Sequence, residues 1–237
     1  MVEKVYLVDA YKKELEAKIT AVNQKEFELD RTIFCPTGGG VPYDTGAILL
    51  AGASYNVVDV KKYEENVIHV LDSDAPLHVG DHVKCSLNWE RRYAHMRYHT
   101  AAHVVGGVIE KKYGAMYTGG QIYHNRARFD FDVPNFSKNI ALEAISESQR
   151  VIDEKRGVIA KIISKEEALK IPNLARTEPG VELLKKLEII RVVEIVGFDI
   201  QLDGGTHVAN TEEIGKVELS NFENKGSRRK RMEIILK

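Results

Sequence analysis

Two histidine-bearing stretches, far apart in the sequence, constrain this chain more than any other feature. The first, His99-Thr100-Ala101-Ala102-His103, lies in a segment of helical character, so both imidazoles leave the same face one turn apart. The second, Asp203-Gly204-Gly205-Thr206-His207, repeats that interval from a glycine-rich turn and offers a carboxylate and a third imidazole. Three nitrogens and one oxygen suit a single zinc ion best. The pattern predicts four metal ligands: His99, His103, Asp203 and His207.

Neither stretch is strong evidence alone. Histidine pairs at helical spacing arise by chance, and a single histidine near an apolar face is more often hydrogen-bonded than bound to metal. Together the stretches are more specific, because Gly204 and Gly205 allow close approach of the backbone and the alternating segment 195–202 would deliver this turn from a strand. Asp203 could instead stay outside the ligand set and hold a histidine or a water.

Further motifs occur in a fixed order along the chain. They are Thr32 to Gly40 followed by Asp44-Thr45-Gly46, Gln121 to Phe131, Asp203 to Gly215, and Gly226-Ser227-Arg228-Arg229. Together with the two histidine-bearing stretches, they resemble the editing domain of alanyl-tRNA synthetases and its free-standing AlaX-type relatives. The resemblance covers nearly the whole chain.

The chain departs from this family's usual pattern at two positions. Asp203 stands where the family usually has cysteine, so a harder oxygen replaces a thiolate. Metal binding should survive this change, whereas metal affinity and metal choice stay open. Val41 stands where the glycine-rich stretch of the family commonly ends in glutamine.

The hydrophobic pattern predicts an α+β fold. Short alternating runs, separated by Asn, Asp, Gly and Pro, fill residues 1–88 and indicate a small barrel or compact sandwich; the resemblance implies a β-barrel accessory domain. A helix from about Glu90 to Tyr113 follows, with Gly114 as its C-cap. Residues 188–236 return to strands. We therefore predict, over residues 89–237, an α/β two-layer editing core with a mainly antiparallel sheet.

Composition narrows the functional classes. A chain of 237 residues holds one large or two small domains and is too short for a whole synthetase. Its net charge of -1 gives no overall signal for nucleic acid, so RNA contacts must come from local patches. Two cysteines, Cys35 and Cys85, make no disulfide framework, and no apolar run reaches transmembrane length. We expect a cytoplasmic protein without membrane contact; no protein partner is implied.

Thr100 and Gln121 are the predicted catalytic residues. The Thr100 hydroxyl would sit beside the metal, where it could bond a polar group of the substrate or orient a water; a bond back to the preceding helical turn is the alternative. Gln121 matches a position near the pocket in the family that the chain resembles.

Glycines and arginines supply the other predicted contacts with substrate or tRNA. Gly38, Gly39 and Gly40 could present backbone N–H groups to a phosphate or to the acyl end of the substrate, or could form a plain turn. The resemblance favours a loop over the active site. The remaining predicted contacts are Arg97, Thr206, Arg228 and Arg229, and a solvated surface is the alternative for the arginines.

The resemblance implies hydrolysis of a wrongly attached amino acid from tRNA(Ala), with one zinc ion as cofactor. A synthetase pocket for alanine rejects both serine and glycine poorly. Ser-tRNA(Ala) is the first choice of substrate, because the Thr100 hydroxyl could pair with the seryl hydroxyl, and Gly-tRNA(Ala) is the second. One alternative is a zinc hydrolase of another aminoacyl ester or amide, although Thr100 stands where a general-base glutamate would be wanted. Another is a non-catalytic tRNA-binding module with a structural metal, consistent with Asp203 and the basic cluster near the C-terminus.

Overall fold

A computed structural model describes residues 2–237, which fall into two units. The first unit ends at His95, and the second runs from Met96 to Lys237. This division lies within a helix, whereas the sequence-based boundary at residue 88 precedes that helix. The separate roles of an accessory domain and an editing core stay a prediction.

The first unit is built on short strands. They are β1 (Glu3–Lys4), β2 (Glu14–Asn23), β3 (Glu26–Leu29), β4 (Arg31–Thr32), β5 (Gly46–Leu50), β6 (Ala53–Tyr63), β7 (Asn66–Leu71) and β8 (His82–Leu87), with a 3-10 turn at Val5–Leu7. Strands β2, β3, β7, β6, β5 and β8 close in this order into an antiparallel barrel. The two-residue strands β1 and β4 pair in parallel outside it.

The alternation of apolar and polar residues along the strands determines which side chains form the barrel core. In β2, Leu15, Ala17 and Ile19 are buried while the charged residues between them are exposed, because successive side chains of a strand point to opposite faces. Phe27 and Leu29 of β3 continue the same buried layer. The predicted barrel is confirmed.

A buried ion pair holds the start of the long helix in place within the first unit. Arg92 donates through Nε to the Asp44 carboxylate at 2.9 and 3.1 Å, through Nη1 to Ala10 O at 2.9 Å and through Nη2 to Ile33 O at 2.5 Å. Arg92 is 1% exposed and Asp44 3%. Cys35 N also donates to this carboxylate, so both charges have several partners, as buried charges require.

The long helix, α1 (Trp89–Tyr113), ends at Gly114, whose φ of 62° is the left-handed conformation usual after a helix. The second unit continues with β9 (Met116–Ile122), β10 (Ala127–Asp132), α2 (Lys138–Asp153), β11 (Val158–Ser164), α3 (Lys165–Leu169), α4 (Glu178–Lys186), β12 (Ile189–Ile195), β13 (Asp199–Leu202), β14 (Val217–Asn224) and β15 (Arg229–Leu236), with a 3-10 turn at Thr211–Ile214. None of the helices within residues 2–237 combines the length and the apolar character needed to span a bilayer.

Two antiparallel sheets organise the second unit. One has the order β14-β15-β10-β9 and the other β11-β12-β13. Tyr117 of β9 donates its hydroxyl to the carbonyl of Ala102 in α1, and a Cβ on Gly106 would lie 2.3 Å from the Tyr117 ring. Glycine at position 106 therefore lets α1 approach this sheet closely. The predicted α+β class with mainly antiparallel pairing is confirmed.

Local sequence patterns predicted helix ends correctly and missed one turn. The segment Ser164-Lys165-Glu166-Glu167 has the sequence of a capping box, and the structure forms it, with Ser164 Oγ accepting from Glu167 N at 3.2 Å. Residues 121–133 have the pattern of a single strand, but in the structure they form part of the hairpin β9-β10, which is closed by a bond from Tyr123 N to Arg126 O at 2.8 Å. Its turn lacks the Asn-Gly or Asp-Gly pair that marks tight hairpins.

Candidate metal centre and active site

Helix α1 supplies two buried imidazoles to one cluster. His99 and His103 lie one turn apart on the same face, and each is 6% exposed. Their rings meet edge to face with centroids 5.1 Å apart. Helical periodicity brings them together, as their spacing predicts.

The glycine turn after β13 supplies the other two side chains. Asp203 follows the last residue of this strand, and its backbone exchanges bonds with Arg191 of β12: Asp203 N donates to Arg191 O at 3.2 Å and Arg191 Nη1 donates to Asp203 O at 2.8 Å. Gly205 N then donates to Asp203 Oδ1 at 2.6 Å, which folds the turn back on itself. The His207 ring consequently stacks on His99 with centroids 4.2 Å apart.

The spacing of the four side chains fits a small ion. Asp203 Oδ2 lies 3.3 Å from His99 Nε2 and 3.5 Å from His103 Nε2, and Asp203 Oδ1 lies 3.1 Å from His207 Nε2. The donor atoms of all four residues lie within 4.8 Å of one another. Donors at about 2.1 Å from a tetrahedral zinc ion would be about 3.4 Å apart. The donor set and its separations therefore fit such an ion.

The second nitrogen of each ring determines which nitrogen can bind metal. His99 Nδ1 faces the carbonyl of Thr206 at 3.3 Å, and His207 Nδ1 faces Thr100 Oγ1 at 3.1 Å. Both contacts leave Nε2 directed at the carboxylate. Among the described residues, nothing bonds to the buried Nδ1 of His103.

The electrostatic surroundings favour the protonation states of Asp203 and His207 that bind metals. Burial alone would raise the pKa of the Asp203 carboxyl, but the charge of His99 and hydrogen bonds from the three imidazoles hold that pKa well below its usual range. Burial, followed by the charge of His99, lowers the pKa of His207 well below its usual value. Asp203 is therefore ionised and His207 neutral near pH 7, the forms in which these groups bind a metal.

The structure brings Thr100 and Thr206 to this cluster along with the four predicted ligands. Thr100 is fully buried and Thr206 is 2% exposed. Gln121 lies on β9 opposite Arg128, on the half-buried face of its sheet, while Ile122 and Phe129 lie on the buried face. Its amide nitrogen donates to Ile122 O at 3.2 Å. The catalytic role of Gln121 stays a prediction.

Gly38, Gly39 and Gly40 belong to the first unit, where they form a tight turn. Gly38 and Val41 exchange two backbone bonds of 3.1 and 2.9 Å, and Gly39 and Gly40 have φ angles of 58° and 82°. These positive angles account for glycine at both positions. Gly38 and Gly39 are exposed, and contact of this turn with substrate stays a prediction.

The predicted tRNA-binding arginines differ in the partners that their guanidinium groups have within the protein. Arg97 donates to Ile214 O at 2.7 Å, so its guanidinium binds the backbone of the second unit shortly before β14. Arg228 donates to Asp132 at 2.6 Å and Arg231 to Asp130 at 2.7 Å. Arg229 is exposed at the start of β15. Lys225 pairs with Glu223 as well, so three charges of the basic cluster, residues 225–231, are already paired with carboxylates.

Sequence reasoning missed Arg191. Its guanidinium reaches both the Asp203 carbonyl and, at 3.9 Å, the Asp203 Oδ1 atom. An arginine in the middle of the apolar run Ile189-Ile190-Arg191-Val192-Val193 was the available signal, because a charge inside a buried strand requires a partner.

Comparison with known proteins agrees with this architecture. Residues 2–91 match the family model of tRNA synthetases class II (A), and residues 190–233 match that of the threonyl and alanyl tRNA synthetase second additional domain. The chain is 39% identical to the alanyl-tRNA editing protein AlaX-M of Saccharolobus solfataricus over the full length of both, and 39% identical to that of Methanosarcina barkeri over 100% of this chain and 99% of the relative. It is 36% identical to the alanine–tRNA ligase of Ignicoccus hospitalis over 89% of this chain and 23% of the ligase.

The chain matches the editing proteins over essentially their full length and matches 23% of the length of the ligase. The chain belongs to the family of alanyl-tRNA editing proteins of the AlaX-M type.

Proposed function

We propose that this protein hydrolyses the ester bond between a wrongly attached amino acid and tRNA(Ala), acting in the cytoplasm on tRNA released by the synthetase. The observation that carries the proposal is the buried cluster of His99, His103, Asp203 and His207 in a chain whose full-length relatives are alanyl-tRNA editing proteins. No Ser-His-Asp or Cys-His arrangement was evident in the sequence, so this cluster is the strongest candidate for the chemistry.

The proposed cofactor is one zinc ion held by these four residues. With a fourth or fifth coordination position open to substrate or water, zinc would polarise the ester carbonyl and lower the pKa of a water to about 7. The protein's own contribution is to direct the Nε2 atoms of three imidazoles towards one carboxylate, at a buried site where each histidine residue is at most 7% exposed. Exclusion of bulk water strengthens each of these electrostatic contacts.

Seryl-tRNA(Ala) is the proposed first substrate, and glycyl-tRNA(Ala) the second. A pocket for alanine rejects an added hydroxyl by only about 100-fold and cannot exclude the smaller glycine by size, so a second hydrolytic site is useful for both errors. Thr100, which we expected to meet the seryl hydroxyl, bonds within the protein. The synthetase's limits therefore support both substrates, and the deacylation assay decides their order.

The test is a deacylation assay on tRNA(Ala) charged with serine, glycine or alanine. We expect the zinc-loaded protein to remove serine fastest and to spare alanine. His103→Ala should remove most of the activity while circular dichroism shows the fold retained, and His124→Ala, at an exposed position, is the matched control.

Other outcomes would select the alternatives. Full activity of His103→Ala would exclude the cluster as the catalytic centre. Binding of tRNA(Ala) without hydrolysis would indicate the non-catalytic module, and rapid loss of glycine with serine untouched would reverse the order of substrates.

A further inference from the structure

The hydroxyl of Thr100 lies between α1 and the glycine turn, and every contact it makes is internal. Thr100 is 0% exposed. Its Oγ1 lies 3.0 Å from Met96 O, 3.2 Å from Val208 N and 3.1 Å from His207 Nδ1. A side chain sealed in this way is poorly placed to meet a substrate.

The chemistry of the three neighbours restricts the direction of each bond. A hydroxyl has one hydrogen and two lone pairs. The amide of Val208 only donates, so it uses one lone pair of Oγ1. The carbonyl of Met96 only accepts, so it takes the hydroxyl hydrogen. The remaining lone pair of Oγ1 then faces His207 Nδ1 and can accept a hydrogen from it.

When a metal takes the place of the hydrogen bond between His207 Nε2 and Asp203, this arrangement selects one tautomer of His207. When Nδ1 carries the ring hydrogen and donates it to Thr100, Nε2 keeps a free lone pair. That Nε2 atom lies 3.1 Å from Asp203 Oδ1, inside the candidate metal cluster. The opposite tautomer carries the hydrogen on Nε2 and donates it to Asp203 Oδ1, as the metal-free cluster requires. That tautomer removes His207 from the ligand set, so metal binding needs the hydrogen on Nδ1.

We propose that Thr100 is a positioning residue, which fixes the tautomer and orientation of His207 through this hydrogen bond and does not contact the substrate. The relevance of this role to hydrolysis rests on the proposed function, whereas its effect on metal binding does not. His99 has a backbone acceptor, the carbonyl of Thr206, which no side-chain substitution removes. His207 depends instead on a side chain, so a point substitution can test the idea.

The experiment compares Thr100→Val with Thr100→Ser. Valine keeps the branched shape and deletes the acceptor, while serine keeps the hydroxyl. Zinc affinity is measured by competition with a chromophoric chelator, and apo-protein stability by thermal unfolding. We expect Thr100→Val to weaken zinc binding about 10- to 100-fold, the usual effect of losing a hydrogen bond that orients a ligand. Thr100→Ser should stay within about threefold of the parent, since its acceptor remains.

A second readout separates positioning from substrate contact. With serine and glycine esters of tRNA(Ala), a positioning role predicts that Thr100→Val lowers kcat for both and leaves the serine-to-glycine ratio unchanged. A direct bond to the seryl hydroxyl predicts instead a selective loss of serine with normal zinc affinity, and that result would overturn the proposal. A parent protein without hydrolytic activity would refute the proposed function, while the zinc measurements would still decide the role of Thr100.

Should Thr100→Val fail to fold, nitrogen NMR of the parent decides the matter. The zinc-loaded protein is expected to show His207 protonated on Nδ1, with the hydrogen bonded to an oxygen acceptor. An Nε2-protonated His207 in that state would contradict the proposal.

Discussion

Replacement of Gly205 by alanine should weaken metal binding without unfolding the protein. A Cβ at this position would lie 2.6 Å from Cε1 and 2.9 Å from Nδ1 of His99, and 3.2 Å from Asp203 Oδ1. Ordinary contact begins at 3.4 Å, so the imidazole or the turn must move by about 0.8 Å. Both neighbours are predicted ligands, and neither direction of movement preserves the cluster.

The size of the effect follows from how little displacement a metal site tolerates. Distances between a zinc ion and its ligands hold to within about 0.2 Å, so a shift of this size takes His99 out of range. The move also breaks the contact between His99 Nδ1 and the Thr206 carbonyl. We expect zinc affinity to fall at least 10- to 100-fold and kcat/KM for Ser-tRNA(Ala) about 100-fold, which corresponds to about 2.7 kcal/mol.

Gly204→Ala is the matched control, because a Cβ there meets nothing within 4 Å. Zinc titration by chelator competition, the deacylation assay and thermal unfolding of the apo-protein are measured for both variants. Gly204→Ala should behave as the parent in all three. If Gly205→Ala bound zinc within about threefold of the parent, the inferred packing of the turn against His99 would be wrong.

Three further predictions address metal choice and stability. Asp203→Cys should raise the ratio of zinc to manganese affinity about tenfold or more, because thiolate is the softer ligand; competition titrations with both metals measure it. Arg92→Leu leaves the buried Asp44 carboxylate with too few partners and should lower the unfolding free energy of the first unit by about 3–5 kcal/mol. Urea unfolding measures this loss through the fluorescence of Trp89, the only tryptophan. Burial lowers the pKa of His69 to about 4, partly opposed by its bond to Phe27 O, so the unfolded chain alone takes up a proton between about pH 6.5 and 4. Stability should therefore decrease by up to about 3 kcal/mol as the pH falls through this range, and His69→Leu should flatten the decrease; an unchanged slope in that variant would contradict the assignment.

Local patterns determined the elements that carry the site. The spacing of His99 and His103 on a helix, and the glycines between Asp203 and His207, were readable because helical periodicity and glycine turns act over a few residues. The same is true of the capping box at Ser164 and of the alternation in β2. The order of the family's motifs along the chain added the expectation that these distant segments meet.

Strand register was harder to predict from the sequence, as the β9-β10 hairpin shows. Residues 121–133 have a largely strand-like pattern, and the turn after Tyr123 is marked locally only by Asn125, without a glycine beside it. Hairpin turns without strong turn residues are decided by the packing of both strands on the rest of the unit. The side on which Gln121 lies follows from that register and was therefore beyond the sequence.

The sequence by itself determined which residue types could bind a metal and placed them on a helix and after a strand. Tertiary structure decided what surrounds them: the Thr100 hydroxyl bonds His207 and not solvent, Arg191 holds the Asp203 backbone, and carboxylates pair Arg228 and Arg231. These contacts join residues far apart in the chain, and their bond directions depend on distances of a few tenths of an ångström. Such distances are set by the packing of whole elements, which no local pattern encodes.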